Sequence, residues 1–266
     1  MTKINAIFID FDHTLKNEND KISPANILAL DCANKNNIQV FLTTGRNLAD
    51  IMTNISFLPI SPYVICCNGA LIYDLKKHKV IEKNPINTST IEKILSYAML
   101  HDVKTILCTS FSSYEFSSMP NTKILNKIIN EGINQVTLIS PNYERMLIIP
   151  ALFEDLVPEV KIANSSRPLL DKKPMKNRLY YHNLTLKNLS KGHAVSELQS
   201  LLKLNPLHCA AIGDSLNDLS MFEIVENRIA MANAEPKLIK ESTFITKSNN
   251  EDGVAYYLNT ILDKQI

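Results

Sequence analysis

Short apolar runs alternate with helical patterns at both ends of this chain, and that alternation limits the fold more than any other feature. Near the amino end the runs are continuous and rich in branched residues, which is typical of strands buried on both faces. The predicted elements there are strands at residues 4–9, 38–43 and 63–66, with helices that begin at residues 23 and 47. Strands that alternate with helices predict an α/β fold with a doubly wound, Rossmann-like parallel sheet.

The carboxyl-terminal part repeats this pattern, so we expect it to continue the same sheet. Its predicted helices cover residues 190–202 and 215–225 and begin again near residues 236 and 252. Its predicted strands are residues 207–212, 228–231 and 243–246.

The middle of the chain differs, because its predicted strands lie closer together. They are residues 103–109, 136–139, 146–149, 160–163 and 179–182, with helices at 89–100 and 122–130. An α+β segment between two halves of one α/β sheet is expected to bury a core of its own. The sequence therefore predicts an α/β core of residues 1–83 and 185–266, with an inserted α+β domain of residues 84–184.

Charge and cysteine content exclude several classes of protein. The 28 basic and 27 acidic residues give a formal net charge of +1, which argues against general nucleic-acid binding. The five cysteines show no Cys-x-x-Cys spacing, so neither a disulfide framework nor a zinc site is indicated. No apolar run approaches the roughly 20 residues that span a bilayer, and no signal peptide is evident. A cytoplasmic protein without a membrane partner is expected.

The first motif, Asp10-Phe11-Asp12-His13-Thr14, directly follows the first predicted strand. Ligands of doubly wound sheets bind beyond the carboxyl ends of the strands, which is where both carboxylates lie. One carboxylate could attack phosphorus while the other serves as general acid and base. The alternative is an ordinary solvated acidic turn.

Two further motifs could bind an anion. Thr43-Thr44-Gly45-Arg46 joins the second strand to a helix, where a hydroxyl and free N–H groups form an anion site. Ser190-Lys191-Gly192 opens a helix with a lysine, which opposes the helix dipole and indicates a functional reason for that residue. An ordinary strand-to-helix turn and an exposed surface lysine are the alternatives.

The fourth motif, Gly213-Asp214-Ser215-Leu216-Asn217-Asp218, again follows a strand. Its polar residues at 214, 217 and 218 have the spacing of one helical face. Hard oxygen ligands of this kind suit Mg²⁺, although an N-cap aspartate with an acidic first turn would look the same.

These four motifs, in this order, resemble the haloacid dehalogenase superfamily and within it the Cof-like phosphatases. Residues 67–70, 229–234 and 249–255 add matches to the same pattern, so the resemblance covers both halves of the predicted core. The inserted segment carries no specific motif. It corresponds to the family's α+β cap, so the resemblance implies that residues 84–184 govern substrate specificity and that residues 1–83 and 185–266 form the catalytic core. One departure is His13, which stands where this subfamily usually has glycine; simple packing is its expected role.

The resemblance implies a role for each matching residue. Asp10 would be the nucleophile and Asp12 the general acid and base. Mg²⁺ would be held by the Asp10 and Asp214 carboxylates and the Asp12 backbone carbonyl, and Asp218 would orient that site from outside. The residues implied to bind the phosphoryl group are Phe11, through its backbone, and Thr44, Gly45, Lys191 and Asn217.

The implied activity is a Mg²⁺-dependent phosphatase for small phosphorylated metabolites that acts through an aspartyl-phosphate. Sugar phosphates, nucleotides and phosphorylated cofactors all fit this expectation, and the motifs do not choose among them or predict an oligomeric state. A phosphomutase of the same superfamily and a non-catalytic phospholigand-binding protein are the alternatives.

Overall fold

The strands form two separate sheets. A computed structural model describes residues 3–165, 175 and 178–265, so positions 166–174, 176 and 177 of the predicted cap lie outside the described residues. In chain order the strands are β1 (Ala6–Asp10), β2 (Gln39–Thr43), β3 (Tyr63–Cys66), β4 (Leu71–Asp74), β5 (Lys79–Lys83), β6 (Lys104–Cys108), β7 (Ser113–Phe116), β8 (Gln135–Ser140), β9 (Val160–Ser165), β10 (Tyr180–Leu186), β11 (Cys209–Gly213), β12 (Asn227–Ala230) and β13 (Phe244–Ile245).

Helices and short turns connect these strands. The helices are α1 (Pro24–Lys35), α2 (Leu48–Ile55), α3 (Thr88–Leu100), α4 (Thr122–Glu131), α5 (Tyr143–Leu156), α6 (Lys191–Leu202), α7 (Leu219–Phe222), α8 (Pro236–Glu241) and α9 (Gly253–Gln265). Side-chain caps begin several of them: Ser23 accepts a hydrogen bond from the Asn26 amide ahead of Pro24, and Asn47 accepts one from Asp50. These caps explain why the predicted helix starts at 23 and 47 are correct.

The larger sheet has the order β13-β12-β11-β1-β2-β3-β4-β5. From β13 to β3 all neighbours are parallel, and β4 and β5 extend one edge as antiparallel strands. Strand β1 lies between β11 and β2 and is fully buried, as its unbroken apolar run predicts. The predicted α/β fold with a doubly wound parallel sheet is confirmed.

The smaller sheet is antiparallel, with the order β7-β6-β8-β10-β9. Helices α3, α4 and α5 bury its apolar face in a second core that is distinct from the core of the larger sheet. Buried members of this second core run from Ile86 to Leu184. The segment predicted to form a cap thus carries its own sheet and its own core, while the exact domain boundaries stay a prediction.

One predicted strand is wrong, because residues 146–149 lie within helix α5. Asn142 caps this helix by accepting a hydrogen bond from the Arg145 amide. Met146, Ile149 and Phe153 then face the cap core at helical spacing. The misleading signal is Pro150 inside the helix, together with neighbouring apolar residues that remain partly exposed.

Strands β4, β5 and β7 have no counterpart among the predicted elements. Strands β4 and β5 form a tight hairpin in which the Asp74 carboxylate accepts hydrogen bonds from the Lys76 and Lys77 amides, each 2.9 Å long. This Asx-type turn replaces the glycine signal by which hairpins are usually recognised.

All five cysteines are free, and all but Cys32 are buried. Within the described residues, none of the helices is both long and apolar enough to cross a bilayer.

Candidate active site

Three neighbouring strands of the core sheet deliver the predicted site residues to one edge. Asp10 ends β1, Thr44 follows β2 and Asp214 follows β11, and these strands lie side by side in parallel. Their carboxyl ends therefore open at the same edge, as the strand order predicts. Asp10, Thr44 and Asp214 are all buried there.

Lys191 is the buried cation of this site. Its Nζ lies 2.5 Å from Oδ1 of Asp10 and 2.6 Å from Oδ1 of Asp218. Ser190 caps α6 by accepting a hydrogen bond from the His193 amide, which points the first turn of the helix at the sheet edge. The unfavourable position of a lysine in a first helical turn is thus explained, because two carboxylates outweigh the helix dipole.

The loop after β11 is held by the second oxygen of Asp218. Oδ2 accepts hydrogen bonds from the backbone amides of Asp214, at 3.0 Å, and Ser215, at 3.1 Å. Gly213 permits this approach, because a Cβ there would lie 2.5 Å from the Asp218 carboxyl carbon. The predicted single helical face of residues 214, 217 and 218 is not formed. Residue 214 precedes the 3₁₀ turn (Leu216–Asp218) that contains the other two.

Three buried carboxylates share this small volume. Oxygens of Asp10, Asp214 and Asp218 all lie within 4.8 Å of one another. Burial and the charge of Asp218 outweigh Lys191 and raise the pKa of Asp10 to about 7. Burial, followed by the charges of Asp10 and Asp218, raises the pKa of Asp214 well above its ordinary range. One ammonium does not balance three carboxylates, and hard oxygen ligands around such a surplus of negative charge fit a divalent cation.

Asp12 turns away from this acidic cluster and pairs with Arg46. The Arg46 Nε lies 2.8 Å from Asp12 Oδ2, and its Nη2 lies 2.5 Å from Oδ1. This two-point contact fixes the Asp12 carboxylate beside strand β1 and away from the cluster of Asp10, Asp214 and Asp218 oxygens. Arg46 belongs to a motif singled out in the sequence but was not predicted as a site residue; its place next to Gly45 was the available signal.

The backbone at His13 explains the residue's departure from the family pattern. His13 has φ 60° and ψ 6°, in the left-handed region that glycine adopts without steric cost. Histidine is among the residues that tolerate this region best. The His13 side chain is exposed, so the expected packing role is wrong. The backbone carbonyl of His13 accepts a hydrogen bond from the Asn233 side chain. What this position requires is a left-handed backbone conformation. The bend that it makes directly after Asp12 accompanies the contact of Asp12 with Arg46.

We expect His13→Val to lower the free energy of unfolding by about 1–2 kcal/mol, because a branched side chain fits the left-handed region poorly. His13→Gly should stay within about 1 kcal/mol of the wild type, since relief of strain is offset by greater freedom of the unfolded chain. Urea unfolding measures both, with Glu18→Val, at an exposed position without positive φ, as the control. A His13→Val protein as stable as the control would contradict this account.

Amide side chains link the predicted phosphate-binding residues to the cap. The Asn217 Nδ2 donates to Asn68 Oδ1 at 2.9 Å, and the Asn68 Nδ2 donates to Gln135 Oε1 at 2.9 Å. Gln135, on cap strand β8, in turn donates from Nε2 to the Gly45 carbonyl at 3.1 Å. Phe11 is buried at the same edge, so all the predicted residues except the Asp12 carboxylate converge on one site.

A strained turn presents Asn68 to this site. Cys67, Asn68 and Gly69 have φ values of 50°, 53° and 98°, three left-handed residues in succession. Gly69 is required there, because a Cβ would lie 2.1 Å from the Ser190 carbonyl oxygen. Backbone strain of this kind is usually found at functional sites. Asn68 lies in one of the motifs that resemble the superfamily, but no role was predicted for it.

Tyr181 of β10 is a cap residue whose phenol interacts electrostatically with the carboxylates of the site. Burial raises the pKa of its phenol, and the charges of Asp12 and Asp214 raise it further. Neither Tyr181 nor Gln135 could be recognised from the sequence, because cap residues meet the site only through the tertiary fold.

Similar proteins agree with this arrangement. The chain is 27% identical to the putative phosphatase YxeH of Bacillus subtilis, over 96% of this chain and 97% of that protein. It is also 27% identical to the 5-amino-6-(5-phospho-D-ribitylamino)uracil phosphatase YwtE of Bacillus subtilis, over 98% and 99% of the two chains. The crystal structure of a haloacid dehalogenase-like hydrolase from Bacteroides thetaiotaomicron has the same fold, with a TM-score of 0.80, 20% identity and coverage of 97% and 100%.

A family model decides the assignment. The model that describes haloacid dehalogenase-like hydrolases matches residues 7–258, which include both halves of the core sheet and the inserted cap. The sequence resemblance and the predicted hydrolase class are confirmed by this match. The chain therefore belongs to the haloacid dehalogenase-like hydrolase family.

Proposed function

We propose that this hydrolase is a Mg²⁺-dependent phosphatase that acts on small phosphorylated metabolites through an aspartyl-phosphate on Asp10. The observation that carries the proposal is the buried Asp10 carboxylate at the end of β1, in contact with the Lys191 ammonium and close to Asp214. A nucleophilic carboxylate requires nearby positive charge before a phosphate dianion can approach it. The phosphatase names of relatives that match nearly the whole chain support the same reaction.

The donor set supports Mg²⁺ as the cation. Asp10 and Asp214 would supply carboxylate oxygens, and Asp12 its backbone carbonyl. Both oxygens of Asp218 are already engaged, one by Lys191 and one by backbone amides, which suits a residue that orients the site from outside. When bound, the ion would supply positive charge that offsets the charge of the phosphoryl group.

The reaction then follows from the side chains. A carboxylate oxygen of Asp10 attacks phosphorus, and the bond from phosphorus to the ester oxygen breaks. Asp12 would have to leave Arg46, which engages both of its carboxylate oxygens in this structure. Turned towards the ester, its protonated carboxyl would give a proton to the leaving oxygen, and the carboxylate would later take one from the water that hydrolyses the aspartyl-phosphate. Such acid–base assistance is typically worth about 10²–10⁴-fold in rate.

The phosphoryl group would be bound opposite the nucleophile. Thr44 and Gly45 lie in the loop after β2, where the Arg46 amide donates to the Thr44 hydroxyl at 3.0 Å. Lys191 and Asn217 approach from α6 and from the loop after β11. The Phe11 backbone N–H completes the proposed set.

A screen of phosphorylated metabolites with Mg²⁺ and with EDTA tests the function. We expect release of inorganic phosphate from several esters with Mg²⁺ and none with EDTA. Transfer of the phosphoryl group to another position of the same molecule, without phosphate release, would favour the phosphomutase alternative. Binding of esters without either reaction would favour the non-catalytic alternative.

Cation binding should also be visible in stability. The folded-state pKa values of Asp10 and Asp214 lie above their ordinary values, so without metal the contribution of these two carboxyls to stability is largest at low pH and falls as pH rises above about 4, through about 7 for Asp10. Mg²⁺ binds the ionised form, and at 100 times its Kd it should add about 2.7 kcal/mol. We therefore expect Mg²⁺ to raise Tm more at pH 8 than at pH 5, and Asp214→Asn to remove most of that rise. Equal Tm values with Mg²⁺ and with EDTA at pH 8 would contradict the metal site.

A further inference from the structure

A cleft leads from the proposed phosphate site towards the cap. It encloses about 160 Å³ between strand β9 and the core. Asn68, Lys191 and Asn217 line its core side, and Lys161 of β9 lines its cap side. Whatever is attached to a phosphoryl group held by Lys191 and Asn217 therefore has a path towards Lys161.

The strand register directs the Lys161 side chain into this cleft. Val160 and Ile162 pair with Leu186 and Leu184, and all four contribute to the apolar core of the cap. Side chains of a strand alternate between the two faces of its sheet. Lys161, which lies between Val160 and Ile162, thus belongs to the opposite face, where it lines this cleft. It also lines a second cleft, which Glu154 and Lys187 share, without forming an ion pair with any described residue there.

Lys161 differs from Lys191 in having no counter-ion. The two carboxylates that contact Lys191 neutralise it, whereas in the described part of the chain no carboxylate lies within ion-pair distance of Lys161. The cross-strand neighbour of Lys161 is Thr185, a neutral residue, and no acidic side chain of the described residues lines the cleft that leads from the proposed phosphate site. Partial burial lowers the pKa of Lys161, and no described charge opposes that effect. A half-buried ammonium without a partner is unfavourable unless a ligand supplies the missing anion.

We infer that Lys161 binds a second anionic group, a carboxylate or a further phosphate, on the leaving group of the substrate. The preferred substrates are then phosphomonoesters whose leaving group is itself negatively charged, such as phosphorylated hydroxy acids or bisphosphates. The assignment rests on the proposed phosphatase function, because it describes what is attached to the phosphoryl group in the same site. Lys161 is a specificity-determining residue, since it lies away from the reacting atoms.

Matched pairs of esters test this inference. 3-Phosphoglycerate and glycerol 3-phosphate differ in a carboxylate, and fructose 1,6-bisphosphate and fructose 6-phosphate differ in a phosphate. For each pair the ratio of kcat/KM values, anionic over neutral leaving group, is measured in the wild type and in Lys161→Met, Lys161→Gln and Lys161→Arg. Lys127→Met, which removes an exposed lysine from α4 on the cap, is the control.

We expect Lys161→Met and Lys161→Gln to lower the ratio about tenfold or more for at least one pair, the loss typical of a charge-assisted hydrogen bond. Lys161→Arg should retain most of the preference, and Lys127→Met should retain all of it. The pair that responds identifies the anion as carboxylate or phosphate. Ratios that are unchanged in both neutral variants, or lowered equally by Lys127→Met, would overturn the inference.

Binding without turnover separates this inference from the proposed function. In an Asp10→Asn background, calorimetry measures the Kd of the same four esters with Lys161 and with Lys161→Met. Weaker binding of the anionic esters alone would sustain the role of Lys161 even if the wild type hydrolysed nothing. Equal losses across each pair, or no binding of the anionic esters, would overturn the role of Lys161 even if the protein proved to be a phosphatase.

Discussion

Replacement of Asp10 by asparagine is expected to reduce kcat by on the order of 10⁴- to 10⁶-fold, the range associated with loss of a member of a covalent catalytic unit. The amide retains the shape of the side chain but cannot form the aspartyl-phosphate. The measurement is steady-state hydrolysis of a phosphate ester with Mg²⁺. Asp155→Asn, at an exposed position of the cap helix α5, is the matched control and should retain full activity.

The same substitution should not weaken the fold. Burial raises the pKa of Asp10, so its ionised form lowers the stability of the folded state above pH 7. Without metal at pH 8, Asp10→Asn should therefore be at least as stable as the wild type in urea unfolding. Hydrolysis by Asp10→Asn near the wild-type rate would refute the covalent mechanism. If the variant loses both activity and folding, trapping of the phosphorylated wild-type enzyme tests whether Asp10 is the nucleophile.

Replacement of Lys191 by methionine is expected to lower both activity and stability. Its ammonium contacts two buried carboxylates, so its loss leaves uncompensated charge in the interior. Removing one partner of a buried ion pair typically costs about 3–5 kcal/mol. The free energy of unfolding should fall by that order at pH 8, and kcat/KM should fall at least 100-fold, because phosphate binding loses its buried cation. Lys240→Met, at an exposed position of α8, is the control.

The stability loss in Lys191→Met should depend on pH. Lys191 lowers the pKa of Asp10, so the pKa of Asp10 rises further above about 7 in the variant. Asp10 is then protonated at pH 5, and the repulsion among the buried carboxylates becomes smaller. The difference from the wild type should therefore shrink from pH 8 to pH 5. An equal difference at both pH values would show that lost packing, and not lost charge, explains the effect.

Residues that follow buried strands of the core could be predicted because strand position determines where they lie. Asp10, Thr44 and Asp214 each lie at the end of a mainly apolar strand, and parallel strands bring such positions to one edge. Lys191 could be predicted because a lysine in the first turn of a helix opposes the helix dipole, which indicates a functional reason for the residue. These signals are local in sequence, and together they describe most of the site.

Other features depend on tertiary contacts that no local pattern encodes. Gln135 and Lys161 reach the site through the placement of the whole cap on the core. Helix α5 was mistaken for a strand because Pro150 and an exposed apolar surface hide its helical spacing. The hairpin of β4 and β5 closes through the Asp74 side chain and carries no glycine turn.

The Asn217–Asn68–Gln135 chain of amides connects the loop after β11 to the cap by hydrogen bonds. Gln135 makes two hydrogen bonds to the core, one to the Asn68 side chain and one to the Gly45 carbonyl. Any movement of β8 away from the core must break both hydrogen bonds. The Asn68 side chain then still accepts a hydrogen bond from Asn217 but no longer donates one to Gln135. The position of the Asn217 amide is therefore coupled to the placement of the cap on the core, so a substitution in the cap at Gln135 can alter the site without touching any residue of the core.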